Sequence, residues 1–193
     1  MAARRSIGAQ RNPESEKAIL AAARELLAEE GLAGFSIEAV ARRAHAGKPT
    51  IYRWWPDRTR LLLAVYAEFK EQMQGFDTGT LEGDVRAFLT NLFDFWRESP
   101  AGPVFRSILA ESQTDPEASA AFAEYHYGRR ERTAVAFGKH GISDEDARLL
   151  TEMVVNYAWG QLLSDRLDPG ADEIARVAGM LVRGVTAQVR RPG

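Results

Sequence analysis

The stretch from Ser36 to Leu63, SIEAVARRAHAGKPTIYRWWPDRTRLLL, leaves few folds open to this chain. Ser36 is a good N-cap. Ile37, Val40, Ala41 and Ala44 follow at i, i+3, i+4 and i+7, one apolar face of a short helix. His45, Ala46 and Gly47 make a turn. A second short helix runs from Lys48 to Trp54, and its Pro49 is tolerated because it lies in the first turn. Pro56 ends that helix, and Asp57 can cap the next one, which begins at Arg58. Two short helices joined by a turn of three or four residues, the second helix basic and aromatic, read as a helix-turn-helix. In such a unit the second helix can enter a DNA major groove.

Helical spacing continues on both sides. Asn12-Pro13 opens a helix with an N-cap and a proline at N1. Its stripe is Ile19, Leu20, Ala23, Leu26 and Leu27, and Gly31 stops it. The helix from Arg58 is expected to reach about Gly75. A helix over Leu81–Glu98 carries Val85, Phe88, Leu89, Leu92, Phe93 and Trp96. After the breaker Ser99-Pro100-Ala101-Gly102-Pro103 comes a short helix, Val104–Glu111. Asp115-Pro116 opens a helix to about Gly138, Ser143 with Asp146 opens one to about Asp165, and a last helix covers about Asp172 to Val189. No strand pattern, repeat or low-complexity tract interrupts. The reading is all-α with about nine helices: an N-terminal three-helix unit over residues 1–60 and a larger helical domain over residues 61–193.

Charge is divided along the same line. Residues 1–60 hold 11 Lys and Arg against 7 Asp and Glu, and the remainder holds 14 against 20. The basic end faces nucleic acid in this reading, and the body does not. With no cysteine there is no disulfide, thiolate metal site or thiol nucleophile, which fits a reducing cytoplasm. No secretory h-region opens the sequence and no apolar run is long enough to span a bilayer, so no membrane role is expected. The histidines 45, 126 and 140 lack any HxxxH or HExxH spacing, and neither metal nor cofactor is expected. The basic residues 1–11 read either as a tail or as an arm on DNA.

The string K-P-T-I-Y-R-W-W-P, with Phe35-Ser36, Val40-Ala41, Ala44, Arg58 and Leu61, resembles the TetR family of bacterial transcriptional regulators. The resemblance covers roughly residues 14–63; the rest matches in helical layout, with a weaker likeness in Gly102-Pro103-Val104-Phe105-Arg106 and Asp115-Pro116. The family often has Gly where this chain has His45, Ser or Thr where it has Gly47, and Lys where it has Arg58.

Several residues are candidates for DNA contact. Lys48 opens the second short helix, where a phosphate would meet backbone N–H groups and the helix dipole. Pro49 shares that first turn. Thr50 and Arg53 lie opposite Ile51 and Trp55; Arg can bond guanine bidentately, and Thr can touch a base or a thymine methyl. The Tyr52 hydroxyl can reach a phosphate, or its ring can be a core spacer. Trp54 and Trp55 cannot share one core, and Trp55 is expected inside with Trp54 at the DNA surface. Ser36 caps and can touch phosphate. The resemblance makes Arg58 a backbone contact.

The resemblance also implies a small-molecule pocket among the middle helices and a four-helix dimer interface from the last two. Pocket candidates are Phe88, Phe93, Trp96, Phe105, Phe122, Tyr125, His126 and Trp159, aromatics that equally suit a core, with sparse polar groups among them. Interface candidates are Ala158, Gly160, Ala175 and Gly179, small residues that let helices approach. The function implied is a cytoplasmic homodimeric regulator. It would repress from a near-palindromic double-stranded operator and be released by a partly apolar effector. An enzyme has little support: there is no P-loop, no G-x-S-x-G and no metal-ligand spacing, and Asp144-Glu145-Asp146 reads as a helix start. A protein-interaction module with a structural helix-turn-helix is the remaining alternative.

Overall fold

The computed structural model describes residues 12–71 and 73–186. All regular structure among them is helical: α1 Pro13–Gly34, α2 Ile37–Arg43, α3 Lys48–Trp54, α4 Arg58–Glu71, α5 Leu81–Glu98, α6 Ala101–Ser112, α7 Pro116–Gly138, α8 Asp144–Leu163 and α9 Ala171–Thr186. They form two compact units, one up to Val65 and the other from Tyr66, with the division falling inside α4. The basic arm of residues 1–11 lies outside the described residues.

The caps behave as their side chains dictate. Asn12 accepts from the Glu14 N–H at 3.0 Å, Ser36 from Ala39 at 3.1 Å, Asp57 from Arg60 at 2.7 Å and Ser143 from Asp146 at 3.0 Å. In the first unit α1, α2 and α3 pack on one another around Ile19, Leu26, Leu27, Val40 and Ile51, with Phe35 and Trp55 closing the core. Gly31 breaks the α1 backbone with φ 65° and ψ −166°, a region open essentially to glycine, before one more turn to Gly34.

The turn after α2 is a Schellman closure. Ala46 N–H donates to the Ala41 carbonyl at 2.9 Å and His45 N–H to Arg42 at 3.4 Å, with His45 left-handed at φ 49°. This is the position glycine takes most easily, and a side chain there costs about 1–2 kcal/mol. Part of that is returned by the lower entropy of a non-glycine unfolded chain. His45→Gly is therefore expected to stabilise the first unit by about 0.5–1 kcal/mol, and the β-branched His45→Val to destabilise it, both read as shifts of the urea midpoint. No gain from glycine would mean that the imidazole makes a compensating contact. Gly47 caps α3 by its carbonyl alone, without a side-chain bond.

In the second unit α5 packs against α6, α7, α8 and α9, and α8 lies against α5, α6, α7 and α9. Positions 81, 85, 88, 89, 92, 93 and 96 of α5 are all buried, an apolar face wide enough to meet helices on several sides. The α5–α6 junction is close: a Cβ at Gly102 would stand 2.4 Å from the Trp96 carbonyl oxygen. Helix α6 begins at Ala101, three residues before its expected start, because Pro103 falls in the first turn, where its missing N–H has no intrahelical partner to lose. Asp84 ties the start of α5 to the end of α7. It accepts from Thr78 N–H and Thr78 Oγ1, each at 2.7 Å, and lies 2.8 Å from His140 Nε2. Burial pushes the Asp84 carboxyl up, but the bonds from His140 and Thr78 outweigh it and hold the group below its ordinary value.

Candidate functional site

Two of the three candidate regions are helix faces, and the third is a cavity. On α3, Ile51 is fully buried and Trp55, just beyond its end, is 7% exposed, so the opposite side of the helix is turned outward. That side presents Lys48, Pro49, Tyr52 and Arg53, all exposed, and half-buried Thr50. Tyr52 is 45% exposed and is not a core spacer. Trp54 is half-buried, its ring centroid 6.2 Å from that of Trp55. Ser36 Oγ is committed to capping α2. The Arg58 guanidinium lies over the Phe35 ring at 5.5 Å.

Two ion pairs there were not legible in the sequence. Lys48 Nζ donates to Glu38 Oε1, from the first turn of α2, so the ammonium at the head of α3 already holds a carboxylate. The bond raises the Lys48 ammonium and lowers the Glu38 carboxyl. Any phosphate at Lys48 displaces Glu38 from this exposed pair, a modest penalty. Arg43 is drawn to Glu29 at 2.7 Å and Glu30 at 3.4 Å on α1, while Arg42 stays exposed.

The second unit holds a partly open cavity of about 270 Å³. Of the pocket candidates, Phe88, Trp96, Phe105, Tyr125, His126 and Trp159 line it. Phe93 and Phe122 do not. On α5, Phe88, Leu92 and Trp96 recur every four residues and share the lining face, whereas Phe93 sits about 100° round from Leu92. Phe93 packs instead beside Trp96 and Tyr157. Phe122 forms a second layer behind Phe105, Trp159 and His126.

The walls are aromatic and interlocked. Phe105 stacks on Tyr66 at 4.8 Å and on Trp96 at 5.7 Å, and Trp96 Nε1 donates to the Tyr66 hydroxyl at 3.0 Å. Burial raises the Tyr66 phenol well above its ordinary range. The charged lining is wholly cationic: Lys70 from α4, and Arg129, Arg130 and Arg132 from α7. Lys70 is half-buried; burial, reinforced by Arg129, pushes its ammonium down to about 7. It lies 6.0 Å from the Phe88 ring and 5.8 Å from that of Phe95. Arg129 Nε donates to the Tyr125 hydroxyl at 3.2 Å. Arg130 donates to Asn156 Oδ1 at 2.8 Å, pairs with Glu152 at 3.5 Å and covers Trp159. Burial pushes the His126 imidazole down to about 4, with Arg130 and Lys70 acting in the same sense, so the ring is neutral at pH 7. His126 Nε2 and Arg130 Nε are buried without a hydrogen-bond partner among the described residues.

The third region is the outer side of α8 and α9. Leu149, Met153, Gly160 and Leu163 follow a helical stripe on α8, and Met180 adds to it from α9, all exposed. Of the four interface candidates, Gly160 is exposed and Ala175 half-buried, but Ala158 and Gly179 are buried inside this chain. Ala158 lies about 180° round α8 from Leu149. A Cβ at Gly179 would stand 3.5 Å from Glu82 Oε1, on α5, and 2.9 Å from Arg183 Nη1. These two small residues permit intrachain packing.

With these features in place, comparison with known proteins is decisive. The family description "Tetracyclin repressor-like, C-terminal domain" matches residues 76–181, more than half of the chain, and "Bacterial regulatory proteins, tetR family" matches residues 19–65. The chain belongs to the TetR family. It is similar to the uncharacterized HTH-type transcriptional regulator YdeS of Bacillus subtilis, at 27% identity over 86% of this chain and 85% of that one. It is also similar to the DNA-binding transcriptional repressor TetR of Mycobacteroides abscessus, at 29% identity over 91% and 94%. The crystal structure of the TetR family transcription regulator SCO0332 shares the fold, with a TM-score of 0.74 and 24% identity over 89% of this chain and 98% of that one. This is a DNA-binding TetR-family transcriptional regulator. Among the described residues no helix is long and apolar enough to cross a membrane, and no cluster of three or more His, Cys, Asp or Glu side chains could hold a metal.

The lining residues missed from the TetR-like sequence pattern are chiefly Tyr66, Lys70, Met73, Phe76 and the three arginines. A signal existed for the arginines, since 129, 130 and 132 crowd onto α7 soon after Tyr125 and His126. Lysine and arginine on a helix are ordinarily solvated, and nothing local marks the exception.

Proposed function

We propose that this TetR-family regulator is a homodimeric repressor that binds a near-palindromic double-stranded operator and is released by a small molecule held in the aromatic cavity. The carrying observation is that an aromatic cavity, with buried polar atoms that have no partner among the described residues, occupies the same chain as an outward-facing basic α3. The helix α4 belongs to both units: Arg58 stands in its first turn, and Tyr66 and Lys70, further along, line the cavity. A ligand that favours one conformer of the second unit shifts the population of DNA-competent chains only by its difference in affinity between conformers. The repressor assignment follows the name of the Mycobacteroides abscessus relative. The exposed stripe on α8 and α9 supplies a self-complementary face for a two-fold dimer, whose half-sites would lie about one DNA turn apart.

The test is fluorescence anisotropy on DNA from upstream of the chain's own gene, over a range of salt. Salt-dependent, sequence-selective binding is expected, and its absence rejects the reading. Lys48→Ala is expected to weaken all sequences about equally and to reduce the salt slope by about 1. Arg53→Ala is expected to cost about 1–3 kcal/mol on the operator and to relax base preference at one position per half-site. If both variants bind like wild type, α3 is not the reading helix.

A further inference from the structure

We propose that the cavity is built for an organic anion: a flat aromatic carboxylate whose charged end meets Lys70 and Arg129 and whose ring lies among Trp96, Phe105 and Trp159. This rests on the proposed role of the cavity as an effector site and adds the chemical class of the effector. Among the described residues every charged side chain in the lining is a cation, with no aspartate or glutamate. Lys70 and Arg129 have no carboxylate partner among the described residues; Lys70 meets only rings, and Arg129 a tyrosine hydroxyl. Cations drawn into an aromatic lining without a counter-charge are uncommon, because desolvation disfavours them unless something pairs with them. A bound carboxylate supplies that pair, whereas a cationic ligand would meet uncompensated repulsion.

Two further atoms favour a polar ligand head. His126 Nε2 and Arg130 Nε are buried and unbonded in this lining. His126 is T-shaped against Trp159 at 4.4 Å, and the Arg130 guanidinium covers the same indole at 5.5 Å. The rings are held at fixed tilts by one another, so the apolar part of the space suits a planar body better than a flexible chain. The volume of about 270 Å³ accommodates one or two fused rings.

Protonation gives an independent readout. Among the described residues, Arg129 and His126 from α7 act on the Lys70 ammonium, the phenols of Tyr66 and Tyr125 share its lining, and α5 brings the rings of Phe88 and Phe95. None of these is an anion at neutral pH. A carboxylate bound there raises the lysine from about 7, so binding near pH 8 takes up a proton.

The experiment is calorimetry on the full chain without DNA, using three probes of one shape: 2-naphthoate, 2-naphthylmethanol and 2-naphthylmethylamine, with benzoate, benzyl alcohol and benzylamine as a smaller set. Each carboxylate is expected to bind on the order of tenfold or more tighter than its matched alcohol and amine. At pH 8 the naphthoate heat is expected to vary with buffer ionisation enthalpy in the sense of proton uptake. Lys70→Met is expected to abolish that uptake and to weaken naphthoate on the order of tenfold while leaving the alcohol within about twofold. Arg129→Met is expected to repeat the loss of affinity and, because it removes a cation that helps hold Lys70 down, to reduce the proton uptake without abolishing it. An amine or alcohol that binds as well as the carboxylate overturns the proposal, as does failure of both carboxylates to bind. A carboxylate that binds as expected but leaves operator binding unchanged retains the anion site and removes only the release reading. Release by a neutral or cationic ligand, with no carboxylate binding, does the reverse.

Discussion

Lys70→Met should stabilise the unliganded protein, and by far more at pH 6 than at pH 10. Lys70 is half-buried, is acted on by Arg129 and has no carboxylate partner among the described residues; burial first, and Arg129 second, bring its ammonium down from 10.5 to about 7. The sign follows from which state holds the proton. Below pH about 7 the group is charged in both folded and unfolded chains, and the full cost of burying the charge is present. Between about 7 and 10.5 the unfolded chain holds the proton that the folded chain has released, so stability rises with pH. Above 10.5 the contribution has gone. At about 1.4 kcal/mol per pH unit the shift sets an upper bound of about 5 kcal/mol, and relaxation with water entry brings the expected gain at pH 6 to about 2–3 kcal/mol. Urea midpoints of wild type and Lys70→Met at pH 6, 8 and 10 check this. The gap should be widest at pH 6 and close towards pH 10; a constant gap would mean that methionine gains by packing alone and that the ammonium is solvated.

The same variant is expected to lose carboxylate affinity while folding more tightly, so the loss cannot be ascribed to unfolding. A side chain that weakens the fold and strengthens a site is the signature of retention for binding. In the absence of ligand, Lys70 and Arg129 repel one another within an aromatic wall, and the anion relieves both.

What could be read from the chain depended on how local the physics was. The caps at Asn12, Ser36, Asp57 and Ser143 need only a side-chain oxygen and an N–H two or three residues on, and each is made. The assignment of Ile51 and Trp55 to the inner side of α3 needs only the helical period and an apolar neighbour. Helix α6 starts before the proline that a breaker reading places outside it, because Pro103 in the first turn is harmless. The placement of Phe93, Phe122, Ala158 and Gly179 away from the cavity lining and the outer stripe is of another kind. Periodicity says which residues are apolar or small on a face, but which neighbour occupies that face is decided by the packing of α5 through α9. The Lys48–Glu38 pair depends likewise on how α2 and α3 cross, and the enclosure of Lys70 on what α5 and α7 bring around it.

The double variant Leu163→Glu, Met180→Glu is expected to leave each chain folded but monomeric, and to lower operator affinity by at least about a hundredfold. Leu163 is 62% exposed on α8 and Met180 61% exposed on α9, so glutamate at either position costs the single chain little. Against a second copy of the same face the charges would be buried without partners, a penalty of several kcal/mol that a two-fold interface suffers twice. Once the copies separate, the second reading helix no longer binds at the high effective concentration supplied by the first, and avidity on the order of 10²–10⁴ is lost. Sedimentation velocity gives the assembly state, and anisotropy on full and half operators gives the affinity. The full site should fall to the affinity of the half site, while the half site itself is unchanged. Val135→Glu is the matched control, since Val135 is 68% exposed on α7, away from the α8–α9 stripe. If Val135→Glu rather than the double variant breaks the dimer, the interface lies on α7, where Tyr127 is also exposed, and the α8–α9 assignment fails.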